Sequence, residues 1–272
     1  RFFKLYNRKN EFRDIYKEKI ELYKIPVLKN ILNEEHKLAQ IADYHLKKEH
    51  WAEATDLYKE IEQMNGLFSA QAEFYQKMGY AFQKQRKPDE AINAYLKADT
   101  IKPDNVWTNR HLATCYRLSR NFNKALEYYR KAEQAMPENH SIVFHIGSCL
   151  AELQQYDEAL NYFFKLDFME SNCVKAWRGI GWCSFVSGKL EQASNYYNKV
   201  IETKPLPVDY LNAGHVAWVS GNIEKAADFY SRSKDMSGDK ELFLEMFNKD
   251  MNYLLKMGIT EDEIPLMLDL LY

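Results

Sequence analysis

A repeat of 34 residues is the feature of this sequence that most limits the folds open to it. A small residue recurs at that stride, as Gly79, Ala113, Gly147 and Gly181. Three more kinds of residue recur in phase with it: an alanine (Ala91, Ala125, Ala159, Ala193), an aromatic residue (Tyr95, Tyr129, Phe163, Tyr197) and a proline (Pro103, Pro137, Pro205, with Ser171 as the exception). A fixed period of this length predicts an array of similar units, each of which buries its apolar face against its neighbours.

Each unit is predicted to be a pair of helices, A and B, joined by a tight turn. The chain has only 10 glycines and 7 prolines, so few residues interrupt helices. The small residue of helix A lets the aromatic residue of helix B approach its backbone, and the ring then fills the space. The proline ends helix B, because it cannot continue a helix. Gly188 and Gly221 fall at A-to-B turns, where glycine adopts a left-handed backbone at little cost.

These positions resemble the tetratricopeptide repeat, in which a large residue, a Leu-Gly pair, an aromatic residue, an alanine, a second aromatic residue, an alanine and a proline follow one another. The unit that begins near Ala72 matches best, with Tyr75, Met78, Gly79, Phe82, Ala91, Tyr95, Ala98 and Pro103. Weaker copies flank the four regular ones, so units start near residues 35, 72, 106, 140, 174 and 207 and cover 35–236. The resemblance implies an all-α fold, a right-handed α-solenoid of stacked helix-turn-helix hairpins.

The two ends lack the repeat signature, and we expect them to be helical. Residues 1–34 are interpreted as N-terminal helices that continue a truncated array, since the chain starts at Arg1 without an initiator Met. Residues 237–272 are predicted to be capping helices, the first over 242–255 and the last with Ile264, Met267, Leu268 and Leu271 on one face. Thr260 and Glu263 have the spacing of a capping box at the start of that last helix. A contact with a partner or with a second copy is the alternative role for these helices.

Composition and motifs narrow the possible functions. The net charge of −2 gives no general attraction to nucleic acid, and no run of 18 apolar residues could span a membrane. No nucleotide-binding, metalloprotease or hydrolase motif is present, so we expect a chain that is not an enzyme and needs no cofactor. Reduced thiols agree with a cytoplasmic protein, although isolated buried cysteines are compatible with other compartments.

The cysteines and histidines follow the repeat. Cys115, Cys149 and Cys183 are 34 residues apart, and we predict that they are buried free thiols, because neighbouring helices lie too far apart for a disulfide. Cys173 falls in a turn and is predicted to be the more reactive thiol. His111 and His145 share one repeat position, with His215 one turn away, but no carboxylate or thiolate accompanies them at matching spacing. They are interpreted as polar residues of a groove rather than as metal ligands.

The resemblance also implies where a ligand would bind, because helices A of this family line a concave groove. Carried onto this sequence, the family's groove positions give a candidate set of Trp107, Arg110, His111, Arg117, Phe144, His145, Lys175, Arg178, Trp182, Asn212, His215 and Trp218. Aromatic residues and arginine dominate the binding energy of interfaces, so the set predicts a protein or peptide partner with an apolar anchor and an acidic group. The alternative is that Trp182 and Trp218 only cover neighbouring helices.

The function predicted from the sequence is therefore a protein-interaction scaffold. Some members of the family clamp a carboxylate at a partner's C-terminus, but here only Arg178 and Asn212 approach that pattern, so this kind of clamp is not supported. A regulatory or accessory domain of a larger signalling or envelope protein is the alternative function. An enzyme with an unrecognised site in the groove is a third, since a fold does not determine a function.

Overall fold

The computed structural model of the chain describes residues 34–271, so the helices predicted before residue 34 lie outside the described residues. Within that range it contains fourteen helices and no strand. The helices are α1 (Glu35–Lys47), α2 (Trp51–Gln63), α3 (Ala72–Lys84), α4 (Pro88–Ile101), α5 (Val106–Leu118), α6 (Phe122–Ala135), α7 (His140–Glu152), α8 (Tyr156–Met169), α9 (Val174–Val186), α10 (Leu190–Ile201), α11 (Pro207–Val219), α12 (Ile223–Ser237), α13 (Lys240–Lys256) and α14 (Glu263–Asp269). The all-α array of helix-turn-helix hairpins that the period predicts is confirmed.

The chain forms two compact units, Arg1–Pro103 and Asp104–Tyr272. The described part of the first unit contains the hairpins α1–α2 and α3–α4. The second contains four hairpins, from α5–α6 to α11–α12, followed by α13 and α14. In the second unit each hairpin packs on the next in sequence order, through α6 with α7, α8 with α9, and α10 with α11. The candidate site lies entirely in this second unit.

The small residue of helix A and the aromatic residue of helix B pack as the sequence predicts. A Cβ atom built on Gly79 would lie 2.6 Å from Cε1 of Tyr95, and one built on Gly214 would lie 2.5 Å from Cε1 of Tyr230. Both tyrosines are fully buried. The missing side chain therefore sets the distance between the two helices of a hairpin.

The A-to-B turns share one backbone geometry, although only two of them contain glycine. Gly188 and Gly221 have φ angles of 74° and 81°, and the corresponding residues Arg120 and Gln154 have 58° and 60°. In the turn at Arg120, the N–H of Asn121 donates to the carbonyl oxygen of Tyr116 at 2.8 Å, a bond that ends the helix in a left-handed cap.

Acidic side chains of B helices accept hydrogen bonds from residues of the next hairpin. Glu133 on α6 accepts hydrogen bonds from the Tyr162 hydroxyl at 3.0 Å and from the Lys165 ammonium at 2.9 Å, both on α8. Asp167 at the end of α8 accepts from the Trp177 indole on α9 at 2.6 Å. These bonds fix the register of neighbouring hairpins in addition to apolar packing.

The last two helices close the array. Phe243, Phe247 and Leu254 of α13, with Ile264 and Met267 of α14, are buried in one core with α11 and α12. The N–H and hydroxyl of Thr260 donate to Glu263 Oε2 at 2.7 and 2.8 Å, so the two residues interact as predicted. However, α14 begins at Glu263, two residues later than a capping box at Thr260 would place it, because the contact closes a turn before the helix.

Candidate functional site

A cleft of about 750 Å³ opens between α7, α9 and α13 in the second unit. Phe144 of α7 forms one wall, and Trp182 of α9 with Tyr253 of α13 forms the other. The Trp182 and Tyr253 ring centroids are 5.1 Å apart in an edge-to-face arrangement. Four of the twelve predicted residues line this cleft: Phe144, Lys175, Arg178 and Trp182.

Phe163 lies at the floor of the cleft, but its side chain is only 3% exposed, because Gly179 of α9 packs directly against its ring. A Cβ atom at Gly179 would lie 2.7 Å from three carbons of that ring. The same helix position, two residues before the small residue, holds His111 in α5, His145 in α7 and Asn212 in α11. The absence of a side chain at Gly179 thus lets α9 approach the Phe163 ring more closely than a larger residue would allow.

Sequence reasoning missed Gly179, although a signal was present. The residue lies inside a helix, where glycine costs about 1 kcal/mol relative to alanine, and it is not the small residue that faces the aromatic ring of its own hairpin. A glycine without that reason indicates a close approach by another group. Here the group is the Phe163 ring of the preceding hairpin.

The charged groups around the cleft are mostly paired. Arg120 lies 3.9 Å from Glu152, and Lys249 lies 2.9 Å from Glu245 in its own helix. Arg178 donates from Nε and Nη2 to the two carboxylate oxygens of Asp209, each at 2.7 Å. Among the described residues, no acidic group pairs with the exposed ammonium of Lys175. The lining residues therefore leave an excess of positive charge near the start of α9.

His145 is next to Phe144 in sequence, and nearby positive charges affect its pKa. Its ring stacks on Tyr129, with centroids 5.4 Å apart. Burial, together with the positive charges of Arg117 and Lys175, lowers the pKa of His145 to about 4. His145 Nδ1 and Arg117 Nε are buried atoms without a hydrogen-bond partner in the described part of the protein. Neither residue lines the cleft, so both atoms lie behind its surface.

The structure does not place His215 and Trp218 on an open groove. Their side chains are only 0% and 3% exposed, because α13 packs over them. His215 Nδ1 lies 2.7 Å from the Tyr230 hydroxyl, and its Nε2 lies 3.6 Å from Asp250 of α13. The Trp218 ring packs near Phe247 of the same helix. For Trp218 the alternative interpretation, a residue that covers neighbouring helices, describes the structure.

The remaining predicted residues lie outside the cleft. Trp107 and His111 stack on each other along α5, with centroids 3.9 Å apart, and Arg110 on the same helix is half-buried. Asn212 lies on α11, in the hairpin that follows the one with Arg178, and is half-buried. These positions share the repeat register of the cleft residues, but they do not contribute to its lining.

All four cysteines are free and buried. Burial raises the pKa of Cys115 and Cys183 to about 12 and that of Cys149 to about 11. Cys173 lies in the turn before α9, as predicted, but it is buried and burial raises its pKa as well. That it is the more reactive thiol stays a prediction. Within residues 34–271, no three His, Cys, Asp or Glu side chains are grouped as metal ligands. Over the same range, none of the helices combines the length and the apolar character needed to cross a bilayer.

Comparison with known proteins supports the repeat assignment. Residues 72–105 match the family model of the tetratricopeptide repeat, and residues 99–166 match that of the anaphase-promoting complex, cyclosome, subunit 3. No curated protein sequence matches the chain significantly.

Several solved structures share the fold. YrrB, described as a TPR protein with an unusual peptide-binding site, is 22% identical with a TM-score of 0.57, and the match covers 69% of this chain and 96% of YrrB. A tetratricopeptide repeat protein from Parabacteroides merdae is 17% identical with a TM-score of 0.57, over 80% of this chain and 98% of that protein. PilF from Pseudomonas aeruginosa is 15% identical with a TM-score of 0.58, over 79% and 97%. Residues 72–105 thus contain a tetratricopeptide repeat, and the described part of the chain has the fold of tetratricopeptide-repeat proteins.

Proposed function

We propose that this protein is an interaction scaffold that holds a segment of another protein in the cleft between α7, α9 and α13. The observation that carries the proposal is an open cleft of about 750 Å³ whose walls and floor are aromatic. Ligand sites in proteins commonly occupy about 300–1,000 Å³, so the cleft has room for several residues of a peptide.

The side chains of the cleft suit binding better than catalysis. Trp and Tyr provide large, rigid contact areas, and such residues at the centre of an interface contribute most of its energy. Cys183 at the floor is the one cysteine in the lining, and burial raises its pKa to about 12, which keeps the thiol protonated and unreactive at neutral pH. The peptide-binding site named for YrrB is a property of that protein, and it supports a peptide as the class of ligand proposed here.

The predicted set of groove residues includes His215 and Trp218 of α11, but the proposed binding site does not extend to them. Helix α13 covers His215 and Trp218, so a ligand would meet α13 as a wall of its site. The partner segment is therefore expected to contact α7 and α9 on one side and the Tyr253 face of α13 on the other.

A variant that fills the cleft tests this function. Ala151 lines the cleft from α7, and the corresponding residue of α11 is Trp218, so a helix of this array accommodates tryptophan at that position. Peptides are first selected on the wild-type protein from a random library displayed on phage. We expect the Ala151→Trp protein to bind the selected peptides at least roughly ten-fold more weakly, a loss of about 1.4 kcal/mol, as measured by fluorescence anisotropy.

The matched control is Ala135→Trp, which places the same side chain at an exposed position of α6, away from the cleft. It should bind the peptides as the wild-type protein does, and circular dichroism should show both variants to be folded. The proposal fails if the library yields no specific peptide, or if the selected peptides bind the Ala151→Trp protein with unchanged affinity.

A further inference from the structure

The cleft has two parts with different chemistry. The first is a slot lined by Gly179 and Trp182 of α9 and by Phe144 of α7, whose ring lies 6.1 Å from that of the buried Phe163, measured between centroids. Gly179 contributes no side chain to this slot, and Phe144 and Trp182 supply its aromatic surface. A large apolar side chain of a ligand would replace the water there and stack on the rings, which favours an aromatic or bulky aliphatic residue.

The second part is the positively charged rim next to the slot. Lys175 lies in the first turn of α9, four residues before Gly179, and no acidic side chain of the described residues neutralises it. The positive end of the α9 helix dipole adds to its charge. Arg117 Nε and His145 Nδ1 are buried without hydrogen-bond partners, and the charges of Arg117 and Lys175 both act on the His145 ring.

The acidic residues of the cleft do not cancel this charge. Glu152 faces Arg120 at 3.9 Å, and Asp250 faces His215 at 3.6 Å from the α13 side. Glu152 is thus paired with Arg120, Asp250 lies on α13 beside His215, and neither carboxylate forms an ion pair with Lys175 in the described structure. A ligand carboxylate placed near Lys175 would meet positive charge, whereas a ligand amine at that point would be repelled.

We infer that the segment bound in the cleft carries a large apolar side chain next to an acidic residue, with the apolar side chain over Gly179 and the carboxylate facing Lys175. The inference rests on the proposed function, since it names the chemistry of the ligand for the same cleft. It commits to an acidic protein segment, because one apolar slot beside one unpaired cation matches two adjacent side chains of a peptide. In this arrangement Gly179 leaves room for the apolar side chain of the ligand, and Lys175 selects a ligand with a negative charge.

Reversal of the charge on Lys175 tests the acidic requirement. Among peptides selected on the wild-type protein, we expect enrichment of sequences in which Asp or Glu adjoins Trp, Phe or Leu. Lys175→Glu should weaken these peptides by roughly ten-fold or more, because it places a like charge against the ligand carboxylate. Lys204→Glu, the same charge change at an exposed loop position, is the control and should leave affinity within about two-fold.

Peptide variants separate this inference from the proposed function. Replacement of the peptide's acidic residue by Gln should weaken binding to the wild-type protein and strengthen binding to the Lys175→Glu protein, because it removes the repulsion between like charges. If the peptides lose binding to Ala151→Trp but bind Lys175→Glu normally, the cleft is a binding site and the inferred acidic chemistry is wrong. If neither variant weakens binding, both the inference and the proposed function fail.

The imidazole of His145 gives a readout that a change in folding would not produce. Its side-chain NMR signals are followed against pH in the free protein and in the complex. A bound carboxylate near Lys175 should raise the pKa of His145 from about 4, since it adds negative charge beside a ring now flanked by Arg117 and Lys175. The Gln peptide should leave that pKa unchanged, and the same value with the acidic and the Gln peptides would overturn the placement of the carboxylate.

Discussion

At the residue scale, the hairpins depend on the fit between one small residue and one aromatic ring. The rings at these positions are buried, and the Tyr230 hydroxyl also lies 2.7 Å from His215 Nδ1, which holds the ring in place. The sequence predicts these pairs well, because the fit is local and recurs in every unit. It does not show how tightly each pair packs, since that distance depends on the side chains around the ring.

The cost of a methyl group at the small-residue position should therefore differ between hairpins. A Cβ atom at Gly214 would lie 2.5 Å from Tyr230, whereas one at Gly147 would lie 3.0 Å from Phe163. Overpacking costs about 1–3 kcal/mol, and alanine regains about 1 kcal/mol of helix propensity. We expect Gly214→Ala to lower the melting temperature and Gly147→Ala to change it little, as measured by circular dichroism. Equal melting temperatures for the two variants would contradict the argument.

At the scale of elements, an ion pair connects two helices that the repeat pattern treats as independent. Arg178 of α9 donates to both oxygens of Asp209 in the first turn of α11, and Asp209 also accepts from the Leu206 N–H at 2.7 Å. The family register predicts Arg178 as a free cation of the groove, because a repeat pattern assigns each position without reference to the next hairpin. Asp209 is almost fully buried, so Arg178 is needed by the fold and is a poor choice for a test of binding.

This pairing predicts different outcomes for two neighbouring cations. Arg178→Met should destabilise the protein by about 3 kcal/mol, the lower end of the range for a broken buried pair, because it leaves the Asp209 carboxylate buried beside an apolar group. Lys175→Met should change stability by less than about 0.5 kcal/mol, since Lys175 is exposed and unpaired in the described structure. Both effects are measured by urea unfolding.

The double variant Arg178→Met with Asp209→Asn completes the test. It removes the buried charge and keeps an oxygen for the Leu206 N–H, so we expect it to recover part of the stability lost in Arg178→Met. If Arg178→Met is as stable as Lys175→Met, the pair does not hold α9 to α11.

At the scale of the second unit, the array is closed by helices without the repeat signature. The amphipathic pattern predicts α13 and α14 as helices, but it gives no register against the hairpins, and so it cannot show that α13 covers His215 and Trp218. The candidate site was predictable only where it depends on the register of helices A, as for Phe144, Lys175 and Trp182. Its Tyr253 wall and its Phe163 floor come from contacts between elements far apart in sequence.

Because each hairpin contacts mainly its neighbours, a destabilising substitution in the closing helices should unfold only the helices next to them. Phe247 of α13 is fully buried against His215, Trp218 and Tyr230, and its truncation to Ala should cost about 3–5 kcal/mol. In hydrogen exchange read by mass spectrometry, we expect Phe247→Ala to lose protection in α11–α13 and to retain it in α5–α7. Leu266→Ala, at an exposed position of α14, should leave the exchange pattern unchanged. Equal loss of protection from α5 to α13 in the Phe247→Ala protein would show that the second unit unfolds as one cooperative block, and would contradict the expectation of a local effect.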